Sequence, residues 1–367
     1  MPKRERVVVG MSGGVDSSVA AALLVERGYD VIGVAMRLWA GEDGASQSGC
    51  CTLDDFLDAR RVAAQLSIPF YVMDFQREFN AAVVDPFVDE YVAGRTPNPC
   101  VRCNQFVKFG AFWDRARELG AEWIATGHYA RIAREACGSP HLLRAVDDAK
   151  DQSYFLFALR EEVLRRCLFP VGDKTKAEVR RVAQSLDLPV ANKPESQEVC
   201  FAPRREYVRF VAARAPALAG GDIVDGDGRI LGHHEGIHQF TVGQRRGLGL
   251  GGGQPYYVTG IDADRREVRV GSRAETAAAG LTATQAVWTS GAPPANGSAL
   301  QIKIRSRFAP SPVRVESASS DRFSVRADGG LAAVTPGQAA VLYDGDRVIG
   351  GGWIERAIPL VAATRCA

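Results

Sequence analysis

Residues 7–24 read VVVGMSGGVDSSVAAALL, and the order of strand, glycine turn and helix within them sets the fold class. Val7, Val8 and Val9 are three β-branched residues in a row, the pattern of a strand buried on both faces in a parallel sheet. From Ser17 to Leu24 no helix breaker intervenes, and Gly28 stands where a helix C-terminal cap is expected. The turn between them, Gly10, Met11, Ser12, Gly13, Gly14, Val15, Asp16 and Ser17, is small enough for backbone N–H groups to converge on one oxyanion. The first amides of a helix have no internal partner, and its dipole favours a negative charge by roughly 0.3 to 1 kcal/mol, so the turn is a candidate phosphate cradle. No lysine follows the glycines, which separates it from a Walker A loop, and the glycine spacing is not that of a dinucleotide fingerprint.

At 367 residues with 46% hydrophobic content, the chain can form two or three domains with ordinary cores. No apolar run approaches membrane length and residues 1–6 are polar, so neither a membrane span nor a secretory signal is expected, and the expected location is cytoplasmic. Eight cysteines in a reducing compartment point to chemistry, metal binding or burial and not to a disulfide framework. The net charge of +2 does not announce a polyanionic partner, but arginines cluster locally, and a polyanion responds to local patches.

Along the chain, residues 29–36 read as a second buried strand that completes a right-handed βαβ unit. This places Met36 at a strand end where open α/β sheets bind ligands; it either lines that site or packs in the core. Residues 40–50 read as a flexible loop ending at Cys50 and Cys51, 54–66 as an amphipathic helix and 70–75 as a third strand. A helix over about 80–93 leads into GRTPNPCVRCNQFVKFG (94–110), where two prolines force Thr96, Pro97, Asn98 and Pro99 into a loop. Cys100 and Cys103 follow at a helix start near Arg95, Arg102 and Lys108, a setting that lowers a thiol pKa below its free value of about 8.5. Two packed cysteines are the alternative. Residues 111–119 read as a helix and 123–126 as a strand ending at Gly127 and His128; the histidine is catalytic, touches substrate or caps the loop. Lys150, Asp151, Gln152 and Ser153 form a polar tetrad, 176–186 is a helix, and a loop returns through Lys193, Glu195 and residues 196–199 to Cys200.

The alternation predicts α/β architecture over 1–205, a doubly wound parallel sheet. Residues 206–273 shift to glycine and β-branched residues with Arg245, Arg246, Arg265, Arg266 and Arg269, the composition of a small mixed or β domain. Glycines beside paired arginines suit a phosphodiester, or form a solvated loop. Over 274–367, short alternating segments at 301–306, 312–317, 322–327, 338–343 and 347–354 predict a small closed β-barrel, with Lys303, Arg305 and Arg307 as phosphate contacts.

GMSGGVDSS at 10–18 resembles the PP-loop of ATP pyrophosphatases, which split ATP between its α and β phosphates. With NPCVRCNQFVKFG (98–110), ATGHYAR (125–131), KDQSYFL (150–156), FPVGDKTKAEVR (169–180), SQEVCF (196–201), FTVGQRRGLG (240–249), YYV (256–258) and GGGWI (350–354), the chain resembles the tRNA-specific 2-thiouridylase family over essentially its full length. The resemblance implies an N-terminal sheet of PP-loop ATP pyrophosphatase type, a central tRNA-binding domain and a C-terminal barrel. It implies ATP and Mg2+ as cofactors, with the nucleotide against Gly10 through Ser17, Met36 and Gly127, and Asp16 as the magnesium ligand. It implies adenylation of the C2 oxygen of a wobble uridine, then sulfur delivery, with Cys200 carrying a persulfide, Cys103 as nucleophile and a transient disulfide between the two. Expected tRNA contacts are Asn98, Pro99, Cys100, His128, Lys150, Asp151, Gln152, Arg305, Ser306 and Gln338. Expected partners are a tRNA with a wobble uridine and a sulfur-donor protein, either a cysteine desulfurase or a relay protein, and the free chain is expected to be a monomer.

One position departs from the pattern. Many family members carry an aspartate, a candidate acid/base, three residues before the nucleophile, whereas this chain has Cys100. Cys100, Cys103 and Cys200 then resemble the three-cysteine ligand set of thiolases that hold a four-iron iron–sulfur cluster with one iron left open. The persulfide and cluster routes compete for the same sulfurs. Two other functions share the loop: a ligase that transfers nitrogen to an adenylated carboxylate or amide, for which no glutaminase segment is present, and an RNA-binding protein without catalysis.

Overall fold

The computed structural model of the chain describes residues 4–39, 52–136, 138–195, 199–202, 206–215, 218–251 and 254–360. The expected loop over 40–50 with Cys50 and Cys51, and Ser196, Gln197 and Glu198 of the return loop, lie outside the described residues.

The first part of the chain runs β1 (Arg6–Gly10), α1 (Val15–Glu26), β2 (Asp30–Arg37), α2 (Leu53–Gln65), β3 (Phe70–Asp74), α3 (Gln76–Phe79), α4 (Asp85–Val92), α5 (Pro99–Arg102), α6 (Phe112–Glu118) and β4 (Trp123–Thr126). It continues with β5 (Arg131–Arg134), β6 (Pro140–Leu143), α7 (Glu161–Leu164), β7 (Cys167–Leu168), α8 (Lys176–Ser185) and α9 (Tyr207–Arg214). β1 is the middle of a five-stranded sheet of order β3-β2-β1-β4-β7 in which every pairing is parallel. Val7 and Val9 face a cluster with Val19 and Leu24 of α1, Val62 of α2 and Val179 of α8. Val8 faces the opposite cluster with Phe79, Phe87, Val107 and Phe112. Helices cover both faces, which is why three consecutive valines are all 0% exposed.

Two helices begin earlier than the sequence pattern predicts. The one expected from about 80 starts at Gln76, whose backbone N–H donates to Asp74 Oδ1 at 2.9 Å, and passes through a π-helical turn, Asn80–Val84. The one expected at 111 starts at Pro99 and widens into a π-helical stretch, Cys103–Ala111, before α6. Pro99 was expected in the loop, but the first helical position needs no N–H donor, and Asn98 Oδ1 caps the turn by accepting from Val101 N.

The central part forms β8 (Gly221–Val224), β9 (Ile230–His234), β10 (Tyr257–Asp262) and β11 (Glu267–Gly271), a mixed sheet of order β10-β11-β8-β9. The last part is a six-stranded barrel of β12 (Ala277–Trp288), β13 (Ala299–Lys303), β14 (Ser311–Ala318), β15 (Arg322–Ala332), β16 (Ala339–Asp344) and β17 (Arg347–Pro359), closed by pairing of β12 with β17. The closing strand AAAGLTATQAVW has the low β propensity of alanine and glycine and was not expected. Its small residues fit the close packing: a Cβ on Gly280 would lie 2.0 Å from Val325 O of β15. The hairpin β5–β6, also not expected, leaves the first domain and adds to the barrel beside β17. One core crosses this seam, since Tyr154 and Phe157 share a cluster with Ala339, Val341, Tyr343 and Val348 of the barrel. Among the described residues no helix is long and apolar enough to cross a membrane.

Candidate active site

The glycine turn sits at the carboxyl end of β1, where the sheet opens. Gly13 has φ +71°, and a Cβ there would lie 2.2 Å from Asp55 O at the start of α2, so both the turn and its neighbour require glycine. Gly14 is the N-cap of α1 and offers no side chain; Ser18 Oγ and Ser17 Oγ donate back to Gly14 O at 2.8 and 3.2 Å. The amides of Val15, Asp16 and Ser17, in the first turn of this twelve-residue helix, precede the first internal hydrogen bond. Gly127, just past β4, is pressed on that same turn: a Cβ would lie 2.5 Å from Ser17 N. A cleft of about 290 Å³ opens here, lined by Gly10, Met11, Ser12, Asp16, Ser17, Met36, Lys108, Thr126, Gly127, His128 and Gln152 among others. Met36 thus lines the cleft, and its Cε is 3.3 Å from the Cβ position of Gly10. His128 is buried, with Nδ1 2.7 Å from Thr126 Oγ1 and its ring against Phe109 and Phe169. Burial, and then the nearby Lys108 charge, push its pKa well below the ordinary histidine value, so the imidazole is neutral.

A second cavity of about 240 Å³ shares Ser12, Asp16, Ser17 and Gln152 with the first and adds Asp55, Tyr129, Lys150, Lys176, Lys193 and Glu195. Lys176 Nζ donates to both oxygens of Asp16 at 2.7 and 2.9 Å and lies 3.0 Å from Glu195 Oε1, while Lys150 Nζ donates to Glu195 Oε2 at 2.6 Å. Tyr129 Oη also donates to Asp16, at 2.7 Å, and its pKa is raised by burial and by the Asp16 charge. The bond from Lys150 holds the Glu195 carboxyl below its usual range, burial opposing and Lys176 assisting. Lys193 bridges Asp55 and Asp58 at 2.8 and 2.6 Å; burial of Asp55 is outweighed by the hydrogen bonds from Lys193 and Thr52, which keep its pKa low. The cavity therefore sets three lysines against the amide-rich turn, a wall for a polyphosphate. Asp16 carboxylate and the Ser12 and Ser17 hydroxyls are hard oxygen donors that fit Mg2+, which takes few protein carboxylates and fills its shell with phosphate oxygens and water.

Lys176, Lys193, Glu195 and Tyr129 are not among the site residues expected from sequence. Lys176 follows Thr175, whose capping box with Glu178 marks the start of α8, but its aim at Asp16 depends on α8 packing beside α1.

The cysteine helix borders the cleft from the other side. It contributes Lys108 to the cleft over the turn and Asn98 and Arg102 to a third cavity, of about 250 Å³, against barrel residues Thr284, Gly337 and Trp353. Cys100 is exposed and Cys103 is 7% exposed. Cys200 is half-buried and packs on the same hydrophobic cluster as Cys103, anchored by the next residue, Phe201, whose ring meets Phe79, Phe87 and Phe210 at 5.1 to 5.5 Å. Of the cations expected to tune the thiols, Arg95 is committed to Glu90 at 2.7 and 2.9 Å and Arg102 lies over Trp353. Among the described residues no group of three or more His, Cys, Asp or Glu is placed to hold a metal ion, so Cys100, Cys103 and Cys200 do not form a cluster-binding set in this conformation.

Family profiles match in three consecutive spans: tRNA methyl transferase HUP domain over 5–204, tRNA methyl transferase PRC-barrel domain over 209–272 and aminomethyltransferase beta-barrel domain over 278–354. A protein of Geotalea uraniireducens named tRNA-specific 2-thiouridylase MnmA is 53% identical, covering 97% of this chain and 96% of the relative. The chain belongs to the tRNA-specific 2-thiouridylase family. Relatives of the same name from Solibacter usitatus and Sorangium cellulosum are 50% and 47% identical, each covering at least 94% of both chains.

Against the contacts expected for a 2-thiouridylase, the structure sorts the residues by direction. In the KDQSYFL segment Lys150 and Gln152 line the loop cavities, whereas Asp151 points into the seam with the barrel. The Asp151 side chain is 1% exposed, accepts from Ala145 N, Ser153 N and Ser153 Oγ, and faces Arg144 and Lys303. Its side chain is therefore enclosed in the seam between the first domain and the barrel. Lys303, expected on the barrel surface, is buried opposite Asp151 at 3.8 Å, and burial lowers its pKa. His128 is a cleft wall and not a surface residue. Gln338 Nε2 donates to Thr96 O and Pro97 O at 3.0 and 2.9 Å, and Asn98 Nδ2 reaches Gln338 Oε1 at 3.5 Å, so the barrel braces the cysteine loop. Arg305 is half-buried and donates through Nη2 to Val242 O and Thr335 Oγ1, both at 3.0 Å; Ser306 beside it is half-buried. Arg265 pairs with Glu267 at 2.9 Å and Arg269 lies near Asp262 and Glu267, while Arg245 and Arg246 are exposed on the 241–250 segment.

Proposed function

We propose that this chain replaces the C2 oxygen of a tRNA wobble uridine with sulfur at the expense of ATP. The observation that carries this reading is the shared wall: the helix bearing Cys103 contributes Lys108 to the cleft formed by the anion-binding turn. A nucleotide on the turn places its α-phosphate on the side of the thiol-bearing helix.

Uridine C2 holds an amide-type oxygen, a poor leaving group until it is adenylated. Attack of that oxygen on the α-phosphate breaks the α–β phosphoanhydride bond and leaves pyrophosphate against Gly13, Gly14, Lys150, Lys176 and Lys193. A magnesium ion bound by Asp16 would neutralise charge on the departing phosphates. The terminal sulfur of a persulfide on Cys200 then forms the C–S bond as AMP leaves. Attack of the Cys103 thiolate on Cys200 Sγ breaks the persulfide S–S bond, releases the thiolated base and forms a Cys103–Cys200 disulfide, which an external thiol reduces. The base enters by leaving its stack, toward Asn98 and Pro99. Arg245, Arg246, Arg305 and Arg307 supply phosphate contacts, and a sulfur-donor protein charges Cys200. The reaction belongs to the cytoplasm, where tRNA and ATP meet.

The test is mass spectrometry of the wobble nucleoside after incubation with tRNA, ATP and a persulfide donor. The expected product is 2-thiouridine from the intact chain and none from Cys103→Ser, with pyrophosphate release persisting in the variant. Thiolation by Cys103→Ser at the parental rate, or a methylated base in its place, overturns the reading.

A further inference from the structure

The ion pairs around Asp16 carry a further step, resting on the nucleotide site proposed above. Both oxygens of Asp16 are taken by Lys176 Nζ, at 2.7 and 2.9 Å, and one also accepts from Tyr129 Oη. Three of the carboxylate's roughly four acceptor sites are thus occupied, and a divalent cation bound here meets the ammonium charge at close range, so the two cations compete for Asp16. The path of the ammonium is short, because Glu195 already holds Nζ at 3.0 Å and is itself fixed by Lys150 at 2.6 Å, so the ammonium can leave Asp16 and stay in the same cavity. The base of the side chain is fixed too: Lys176 N donates to Asp147 Oδ2 at 2.9 Å, at the capped start of α8. A lysine on a fixed base with a flexible four-carbon stem suits a donor with two stations.

We propose that Lys176 is a stand-in cation for Asp16 that exchanges with a divalent metal and, once displaced, becomes a ligand of the β- and γ-phosphates. Lys176 then does two jobs: it keeps a lone carboxylate from repelling incoming phosphate, and it couples metal capture to phosphate capture. Binding of either ion favours the other, because each needs the same side chain to move in the same direction.

Two titrations on the full chain separate this from a structural ion pair: Mn2+ alone, followed by electron paramagnetic resonance, and magnesium pyrophosphate, followed by calorimetry. Lys176→Met should bind Mn2+ roughly tenfold more tightly, since a competing charge is gone, and magnesium pyrophosphate roughly tenfold more weakly, since a phosphate donor is gone. Lys176→Arg retains the charge and should keep Mn2+ affinity near the parental value. Lys150→Met, which does not touch Asp16, should weaken pyrophosphate and leave Mn2+ unchanged. Misfolding weakens both ligands, so opposite movements in Lys176→Met cannot come from it. Unchanged or weaker Mn2+ binding in Lys176→Met, or unchanged pyrophosphate binding, overturns the proposal. An intact chain that binds no magnesium pyrophosphate overturns the nucleotide site itself.

Discussion

Gly127 and His128 occupy adjacent positions at the end of β4 and act through opposite properties, lack of bulk and lack of charge. At Gly127 an added methyl meets backbone of the α1 first turn at 2.5 Å, and backbone has no rotamer to yield. Gly127→Ala is therefore expected to cost about 1–3 kcal/mol, as overpacking does, and to weaken ATP binding measured by calorimetry. Unaltered affinity would show that the strand end does not set the position of the turn. His128 is neutral when folded, because burial lowers its pKa, and takes up a proton near pH 6.5 when unfolded. The unfolded state then binds more protons, so stability is full above about pH 6.5 and falls as pH drops below it. His128→Asn, which keeps an atom facing Thr126, should flatten this acid limb by up to about 1.4 kcal/mol per pH unit, read from denaturant melts at pH 7 and pH 5.5. His234 and His238 are also buried with lowered pKa values, so the readout is the difference between the two proteins. The sequence showed a histidine at a strand end; its neutrality depends on Phe109, Phe169 and Lys108, brought from elsewhere in the chain.

The helix that begins at Pro99 is the element on which chemistry and architecture meet. Its entry loop is tied to the barrel by Thr96 N donating to Pro336 O at 2.9 Å and by the two bonds from Gln338. Gln338→Ala removes two donors from carbonyls 242 and 241 residues away in sequence, and amide exchange at 96–103 should quicken while exchange at 10–18 stays the same. In the same variant, thiolation should slow and ATP binding hold. Equal protection at 96–103 in both proteins would mean that the barrel does not restrain the loop. The strand and helix order of the sheet was legible because hydrophobic period and turn residues are local signals, as in VVVG followed by the Gly/Ser turn. β12 was not legible, since Ala277, Ala278, Ala279 and Gly280 are chosen for close approach to β15 and β17, a requirement only the closed barrel imposes.

On the scale of the whole molecule, the three parts meet through side chains that sequence reasoning assigned to RNA. Arg305 joins the central part to the barrel through Val242 O and Thr335 Oγ1, with all of these bonds on one terminal nitrogen. Arg305→Ala should lower the thermal midpoint and also reduce the slope of log K against log salt for tRNA by roughly 0.7 to 0.9, the share of one phosphate. A lower midpoint with the slope intact would assign Arg305 to the scaffold alone. The candidate site was legible where it is contiguous, in the turn, and in the spacing of Cys100 and Cys103. The charged cavity was not, because Asp16, Lys150, Lys176 and Lys193 come from four segments and only folding tells which acid each lysine answers.

The hairpin β5–β6 begins two residues after Tyr129 and ends docked on β17, with Leu142 fully buried between the parts. A protein truncated at residue 205 would keep the hairpin and lose its host, baring a sticky β edge close in sequence to the end of β4. Such a fragment should multimerise in light scattering even though its parallel sheet is intact, so the N-terminal unit is better studied with its barrel than cut free of it.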